Sequence, residues 1–511
     1  MKKQHKYLLS ALLAASLLLS CDNGFDEINK DPVRLVSIDP TFQLNRAIIG
    51  SAPGYNNFTY ETTIVKQMIT PFVGVGTGGN LNLDNKSATQ GNWQDGYSNT
   101  VKNLVDGIAA LVDKPDKTNL LSMLRIWKAH EFMILTDSYG ELPYFQAAKG
   151  YTEGIAFPEY DTQEAIYDDI LKELEEASNA LDPAKDAVPQ EVMYAGLGSN
   201  ILRWKRLGFS LLLRAAMRLT KVNPAKAQQF AAKAIAGGLM ESNLDNAVIR
   251  HDANFRNDLG TNLNGGQAGF YYIDRDFMTF LKDNNDPRLK SIAIRYVGAK
   301  TKGDQIPANG TTDPALQIGM PQGFDNTTIP EQVAADGLES LYDYSEMDRR
   351  RLGSPEAPSF MVTYSETLLL KAEAIIRGWA AGDASAAYES GIRAHMEQMA
   401  SWPGDTSVDE ADIVAYIASQ PLQVGMEIEQ INNQYWVSSF LNGHETWANF
   451  RRSGFPIVAP NPLKGDLKTE DFIQRLTYPD SEHSVNAANL DVAIGRQGPD
   501  DLDVRVWWDV K

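Results

Sequence analysis

Cys21 is the residue with the most distinctive chemistry, because it is the only cysteine in the 511 residues. Residues 1–20 precede it and consist of three lysines near the start followed by the apolar run 7–19. This order is typical of a secretory signal peptide, and the run is too short to span a membrane. The alternative is an ordinary signal peptide followed by a buried cysteine, but no second cysteine exists to share a structural role.

The four residues that end in Cys21, Leu18-Leu19-Ser20-Cys21, resemble a bacterial lipobox. In that motif the thiol becomes a diacylglycerol thioether, although Leu19 is bulkier than the small residue usual at its place. Several acyl chains on one residue are enough to hold a soluble domain on a membrane. We therefore expect a signal peptide over residues 1–20, a palmitate-type lipid on Cys21, and a tether over residues 21–40.

Two other patterns suggest cofactor chemistry but lack the required context. Gly74 to Gly79 satisfies G-x-G-x-x-G, yet the asparagine-rich residues 80–85 that follow are expected to form a loop, whereas a dinucleotide site requires a helix there. His444-Glu445 begins like a zinc-protease helix, but the second histidine is missing. We expect no cofactor and no metal site.

Acidic residues could supply a calcium site or a hydrolytic pair. Asp283 and Asp286 flank two asparagines and could hold Ca²⁺, but a capped turn before Pro287 is the favoured interpretation. Glycosidases use two carboxylates about 5–10 Å apart, and 66 acidic residues make such pairs impossible to locate from sequence. Because no G-x-S-x-G elbow occurs either, we expect a protein without catalytic activity.

Sugar binding requires flat apolar faces together with amides and carboxylates, and four segments rich in Gly and Asn contain that mixture: 71–85, 92–99, 263–276 and 319–326. The candidate ligand-binding residues are Asn80, Asn82, Asp84, Trp93, Phe270, Tyr271, Tyr272 and Phe324. We favour Tyr271 or Tyr272 as a ring that stacks on a sugar, because one of three adjacent aromatics is expected to be exposed. Trp93 and Tyr97 have helical spacing, which favours a core role.

Helix pairs must position these segments. Residues 203–237 and 366–400 both contain an apolar stripe with small alanines, a break, and a second helix with one aromatic. This is the packing pattern of tetratricopeptide units. A third pair is predicted over 120–136 and 162–181, with Asp161 and Glu164 as a capping box. The intervening segments 70–100, 240–330 and 400–425 are expected to be loops on one side of a mainly α-helical fold.

Five blocks, in order, resemble the SusD/RagB family of Bacteroidetes outer-membrane lipoproteins: FDEINKDP, RIWKAHEFMILTDSYGELPYFQA, MVTYSETLLLKAEAIIRG, WVSSFLNGHETWANFRRSGFP and QRLTYPDSEHSVN. The acidic residues after Cys21 also look like the export signal that directs such lipoproteins to the cell surface. The resemblance implies a single SusD-like domain over residues 41–511. Arg451 and Arg452 are expected to pair with carboxylates and stack on aromatics inside it.

The resemblance further implies a non-catalytic lipoprotein on the outside of the outer membrane. Such proteins capture oligosaccharides, or in some cases peptides, and cap a SusC-type TonB-dependent transporter. A formal charge of −19 argues against nucleic acid as a partner. A protein-binding adaptor and a surface glycoside hydrolase remain as alternatives, and the sequence leaves open which glycan or peptide is bound.

Overall fold

Helices make up most of the described chain, which comprises residues 38–72 and 77–511 of a computed structural model. The α-helices are α1 Pro40–Gly50, α2 Tyr55–Ile64, α3 Thr77–Leu81, α4 Lys86–Asp95, α5 Lys102–Leu111, α6 Thr118–Tyr139, α7 Gly150–Glu153, α8 Gln163–Ala180, α9 Asn200–Arg218, α10 Pro224–Gly237, α11 Asp258–Asn264, α12 Arg275–Asp283, α13 Leu289–Ile292, α14 Pro330–Ala335, α15 Tyr364–Ile376, α16 Ala384–Gln398, α17 Glu410–Ser419, α18 Glu427–Ser438, α19 Gly443–Ser453, α20 Asp480–Val485 and α21 Ala487–Gln497. The prediction of a mainly α-helical fold is confirmed.

Residues Pro40–Lys511 form a compact unit. The predicted signal peptide, Cys21 and nearly all of the tether lie outside the described residues. Within the described part of the chain, none of the helices is both long and apolar enough to cross a membrane.

The three predicted helix pairs are present as α6 with α8, α9 with α10, and α15 with α16. Ala215 and Ala372 are fully buried where neighbouring helices approach closely. Asn223 caps α10 as expected, since its side chain accepts from the Lys226 backbone N–H. The predicted cap of α8 is wrong by one residue: Thr162 caps the helix, while the Asp161 carboxylate accepts from two backbone N–H groups of the preceding turn.

Short antiparallel strands organise the long insertion between the second and third pairs. The described residues contain seven strands: β1 Met68–Ile69, β2 Ala247–Ile249, β3 Tyr272–Ile273, β4 Ala293–Tyr296, β5 Gly310–Thr311, β6 Glu346–Met347 and β7 Ser359–Val362. Five of them form a sheet in the order β1-β3-β6-β4-β5, and β2 pairs with β7. The expectation of loops over 240–330 therefore misses a small sheet.

The other two insertions contain helices as well as loops. Helix α4 continues through a π-helical turn, Gly96–Val101, directly into α5, and α17 lies inside the 400–425 insertion. The loop expected over residues 80–85 is also partly wrong, because Asn80 and Leu81 end the short helix α3. The G-x-G-x-x-G stretch falls partly on residues outside the described chain.

Candidate functional site

The pairing of β1 with β3 brings two aromatic residues to the same edge of the five-stranded sheet. Ile69 lies opposite Tyr272 in an antiparallel register, so the chain that continues past β1 runs beside the chain that enters β3. Phe72 and Phe270 meet there with ring centroids 4.4 Å apart and planes inclined by 31°. Tyr342, which precedes β6, contributes a third ring 6.5 Å from Phe72. We call these three residues the aromatic face.

All three rings of the aromatic face are partly exposed, unlike the fully buried rings of the core. The Lys302 ammonium lies 4.8 Å from the centroid of the Phe270 ring, where it can make a cation–π interaction. Partly exposed rings beside polar groups are the kind of surface that fixes the apolar side of a ligand while hydrogen bonds orient it. The arrangement suits the C–H face of a sugar ring.

Buried polar groups hold the backbone under the aromatic face. The Tyr272 hydroxyl donates to the Gly269 carbonyl at 2.8 Å, and the Gln305 amide donates to the Tyr342 carbonyl at 3.1 Å. Gly269 adopts a positive φ of 74°, and a Cβ there would lie 2.4 Å from the Gln305 side-chain oxygen. Glycine at 269 therefore lets the chain turn into β3 and present Phe270 outward.

Tyr271 and Tyr272 do not have the exposure predicted from the sequence. Tyr271 is 5% exposed, and its hydroxyl forms a 2.7 Å hydrogen bond with the hydroxyl of Tyr55. Tyr272 is fully buried in β3, where strand alternation directs it into the core beside Met320 and Ile329. The expectation of an exposed ring is wrong for both residues: Tyr272 is buried in β3, and Tyr271 is buried by packing against Tyr55 and Phe58. Of the three adjacent aromatics, Phe270 is the one with a partly exposed ring.

Asn80 and Phe324 lie close to the aromatic face but act differently from each other. The Asn80 amide donates to the carbonyls of Thr70 and Phe324, at 2.7 and 2.9 Å, and is itself buried. Asn80 thus ties the segment after β1 to the 319–326 loop. The Phe324 ring is partly exposed and packs against the small core under that loop.

Asn82, Asp84 and Trp93 are engaged elsewhere. The Asn82 amide donates to the Leu463 carbonyl at 2.8 Å, and the Asp84 carboxylate accepts from the Thr477 hydroxyl at 2.9 Å. Trp93 is 5% exposed and packs among aromatic rings of the helical core, which agrees with the favoured interpretation of its helical spacing. These contacts give each residue a structural part in the described chain, and their roles in ligand binding remain predictions.

Two residues of the aromatic face, Phe72 and Tyr342, were not singled out by sequence reasoning. Phe72 lies in the segment 71–85, whose mixture of Gly, Asn and aromatic residues indicates a sugar-binding loop. The composition therefore points to its segment, although not to Phe72 itself. Tyr342 lies outside all four flagged segments and reaches the face only because β6 pairs with β3. No pattern local to residue 342 indicates that pairing.

Asp286 and His444, two of the residues considered for metal chemistry, have structural partners. Asp286 bonds the guanidinium of Arg288 in a fully buried pair, and His444 lies 2.7 Å from the Glu61 carboxylate. Among the described residues, no three or more His, Cys, Asp or Glu side chains are grouped to hold a metal ion. The contacts of Asp286 agree with the favoured interpretation of this segment as a capped turn before Pro287.

Arg451 and Arg452 have the internal roles expected of them. Arg452 donates two hydrogen bonds to the Glu373 carboxylate, at 2.7 and 2.8 Å. The Arg451 guanidinium stacks 3.8 Å from the Trp447 ring centroid. Both arginines are buried.

The chain is a scaffold of helix pairs with one loop-rich side. The insertion on that side forms the small sheet that carries the aromatic face. A family model described as SusD-like, starch-binding and associating with the outer membrane matches residues 32–479. The chain belongs to the SusD-like family. No curated protein sequence matches it.

Solved structures with the same fold cover nearly the whole chain. A chitin-binding protein is 29% identical with a TM-score of 0.80, over 93% of this chain and all of that one. A SusD-like protein described as Bacteroidetes AC2a is 26% identical with a TM-score of 0.78, over 93% of this chain and all of that one. A chitin-binding SusD homologue from Flavobacterium johnsoniae is 23% identical with a TM-score of 0.69, over 93% and 96% of the two chains.

Proposed function

We propose that this protein is a non-catalytic lipoprotein of the cell surface that captures oligosaccharides through its aromatic face. The observation that carries the proposal is the cluster of three partly exposed rings, Phe72, Phe270 and Tyr342, on the loop-rich side of a SusD-like scaffold. The family description as starch-binding and the 29% identity to a chitin-binding protein support a glycan as the ligand.

The captured oligosaccharide is then handed to a SusC-type TonB-dependent transporter in the same membrane. The outer-membrane association in the family description supports this location. A lipid on Cys21 would hold the protein at the outer face of that membrane, with the acidic segment after it as the tether. Crosslinking in intact outer membranes should recover a TonB-dependent barrel with this protein. Recovery of the protein alone at every crosslinker length would contradict the partnership.

Calorimetric titration of the purified protein with chitin and starch oligosaccharides tests the capture site. Stacking on one ring is worth about 1–3 kcal/mol by analogy with base–aromatic stacking, so Phe72→Ala with Phe270→Ala should weaken binding by about tenfold or more. Phe157→Ala is the matched control, since this phenylalanine is 60% exposed in the loop before α8 and should not affect binding. Equal affinity of the double variant and the wild type would overturn the assignment of the face.

Titrations of the same protein with peptides test the alternative ligand class, and incubation with the bound oligosaccharide tests for catalysis. Binding of peptides and not of glycans would reassign the face to peptide capture. Incubation with the bound oligosaccharide should release no new reducing ends. Turnover that a single carboxylate substitution abolishes would make the protein a surface hydrolase.

A further inference from the structure

A small cavity of about 20 Å³ lies in the helical core, where α9 and α19 both pack against α6. Five buried polar side chains are among the residues that line it: His130 and Asp137 of α6, Arg214 and Arg218 of α9, and Glu445 of α19. None of these residues belongs to the aromatic face. The cavity is therefore distinct from the surface that we assign to glycan capture.

The guanidinium of Arg218 has one N–H group without an acceptor. Its Nε donates to the Asp137 carboxylate at 3.0 Å, and its Nη2 donates to the Glu445 carboxylate at 2.6 Å. Its Nη1 has no hydrogen-bond partner among the described residues, although Arg218 is only 1% exposed. A buried donor on a charged group is costly to leave unpaired, so Nη1 favours a ligand that accepts a hydrogen bond.

Both ring nitrogens of His130 also lack a hydrogen-bond partner among the described residues. The ring is buried, with its centroid 4.6 Å from that of Trp127. Burial and, to a smaller extent, Arg214 lower the pKa of His130 to about 3, so the ring is neutral at pH 7. A neutral imidazole has one N–H donor and one acceptor nitrogen. The cavity thus combines an unpaired donor of Arg218 with an unpaired acceptor of His130.

Size and charge restrict the occupant to one small neutral molecule. A cavity needs about 10–15 Å³ to hold a water molecule, so a volume of about 20 Å³ admits one water and leaves no room for a sugar. Arg214 and Arg218 outweigh the effect of burial and hold the pKa of Glu445 below its ordinary value, so this carboxylate is ionised. Its negative charge disfavours a halide ion in the same cavity.

We propose that one buried water molecule occupies this cavity and joins Arg218 to His130. The water accepts a hydrogen bond from Nη1 of Arg218 and donates one hydrogen to the acceptor nitrogen of His130. Its second hydrogen faces the carboxylates of Asp137 and Glu445 in the same wall. Three hydrogen bonds of this kind are typical of a buried water. The water is thus a structural part of the core, and it links α6 with α9 beside the direct pair of Arg218 with Asp137.

A wider cleft gives this water a route to solvent. The cleft has a volume of about 220 Å³, and it shares Ser51, Ile134 and His444 with the small cavity. The exposed residues Asp95 and Asp258 border it. Exchange of the water therefore requires only local movement of the shared residues and not global unfolding.

A crystal structure of the full purified protein at about 1.5 Å resolution tests the site directly. We expect an ordered water within about 3.2 Å of both Nη1 of Arg218 and one ring nitrogen of His130. A second crystal soaked in sodium bromide should show no anomalous peak in the cavity. The absence of electron density between the two side chains, or a bromide peak there, would overturn the proposal.

Oxygen-17 relaxation dispersion measures long-lived internal waters in solution and tests what holds this one. His130→Leu removes both ring nitrogens and should reduce the signal by the contribution of one water, whereas His130→Gln keeps a donor and an acceptor and should retain it. His483→Leu, at an exposed position on α20, is the matched control and should leave the signal unchanged. An undiminished signal in folded His130→Leu would contradict the proposal. If that variant does not fold, the crystal structure of the wild type decides the case.

Discussion

At the scale of single residues, buried arginine–carboxylate pairs join distant parts of the helical core. Glu373 of α15 receives two hydrogen bonds from Arg452 and one from Arg377, and it is fully buried. Burial alone would raise the pKa of Glu373, but the two arginines outweigh burial and lower that pKa to about 2. The Glu373 carboxylate is therefore ionised at neutral pH and neutralises an otherwise uncompensated Arg452.

Glu373→Gln should lower the free energy of unfolding at pH 7 by about 3–5 kcal/mol, because it leaves Arg452 buried without its counter-ion. The folded-state pKa of Glu373 lies below the ordinary value of 4.5. The stabilisation that ionised Glu373 gives the folded protein is thus complete above pH 4.5 and is lost as the pH falls toward 2. Urea titrations at several pH values should show the gap between wild type and variant narrowing in acid. Glu389→Gln, at an exposed position, serves as the control, and an equally large loss there would contradict this account.

Glu131 should show the opposite dependence on pH. Its folded-state pKa of about 7 lies above the ordinary 4.5, so the folded protein retains a proton that the unfolded chain has released. Stability contributed by this group is therefore lost as the pH rises from 4.5 to 7. Glu131→Gln should match the wild type near pH 4 and exceed its stability at pH 8, by up to about 3 kcal/mol. Thermal melts at both pH values test this, and a variant that is less stable at pH 8 would contradict it.

Residue types alone predicted the internal arginines but not the exposed rings. Arg451 and Arg452 follow Trp447 on the same helix, and an arginine is rarely fully buried unless it has a partner. By contrast, Phe270, Tyr271 and Tyr272 are chemically similar neighbours that differ in exposure. Tyr272 is buried in β3, Tyr271 packs against Tyr55 and Phe58, and Phe270 is partly exposed. A two-residue strand leaves no alternation in the sequence from which to predict that difference.

At the scale of elements, small residues set the distance between paired helices. Ala215 of α9 and Ala372 of α15 are both fully buried in the main core. Ala215→Leu or Ala372→Leu should force the neighbouring helices apart and cost about 1–3 kcal/mol. Ala232→Leu on the exposed side of α10 is the matched control and should change little. Unchanged melting temperatures for the two buried substitutions would show that the helix pairs tolerate a wider spacing than the structure indicates.

The sequence predicted helix pairs more accurately than it predicted the insertions. Pro224 begins α10, and Gly237 and Gly238 mark its end, because proline suits a first turn and glycine a helix end. Helix α4 contains a glycine and many polar residues, so its amphipathic signal is weak. It is nonetheless helical because it continues through the π-helical turn into α5 and buries Trp93.

At the scale of the whole molecule, the aromatic face is assembled from segments that lie far apart in the chain. Phe72, Phe270 and Tyr342 meet only because β1, β3 and β6 are neighbours in one sheet. Composition identifies the segments that contain Phe72 and Phe270. The order of the strands, however, depends on contacts between residues as far apart as Phe72 and Tyr342, some 270 positions in the sequence. The family resemblance predicted the fold and a loop-rich binding side, and the tertiary pairing determines which rings reach the surface.

The proposed lipid anchor would determine where the whole molecule acts, and it would depend on one atom, the Cys21 sulfur. Cys21→Ala removes the proposed acylation site and leaves the apolar run 7–19, which is too short to anchor the protein stably. The variant should therefore lose incorporation of a fatty-acid probe and be recovered unprocessed or free of the membrane. Ser20→Ala is the matched control, because it keeps the thiol and should still be labelled. Equal labelling of wild type and Cys21→Ala would show that the protein reaches the membrane by another route.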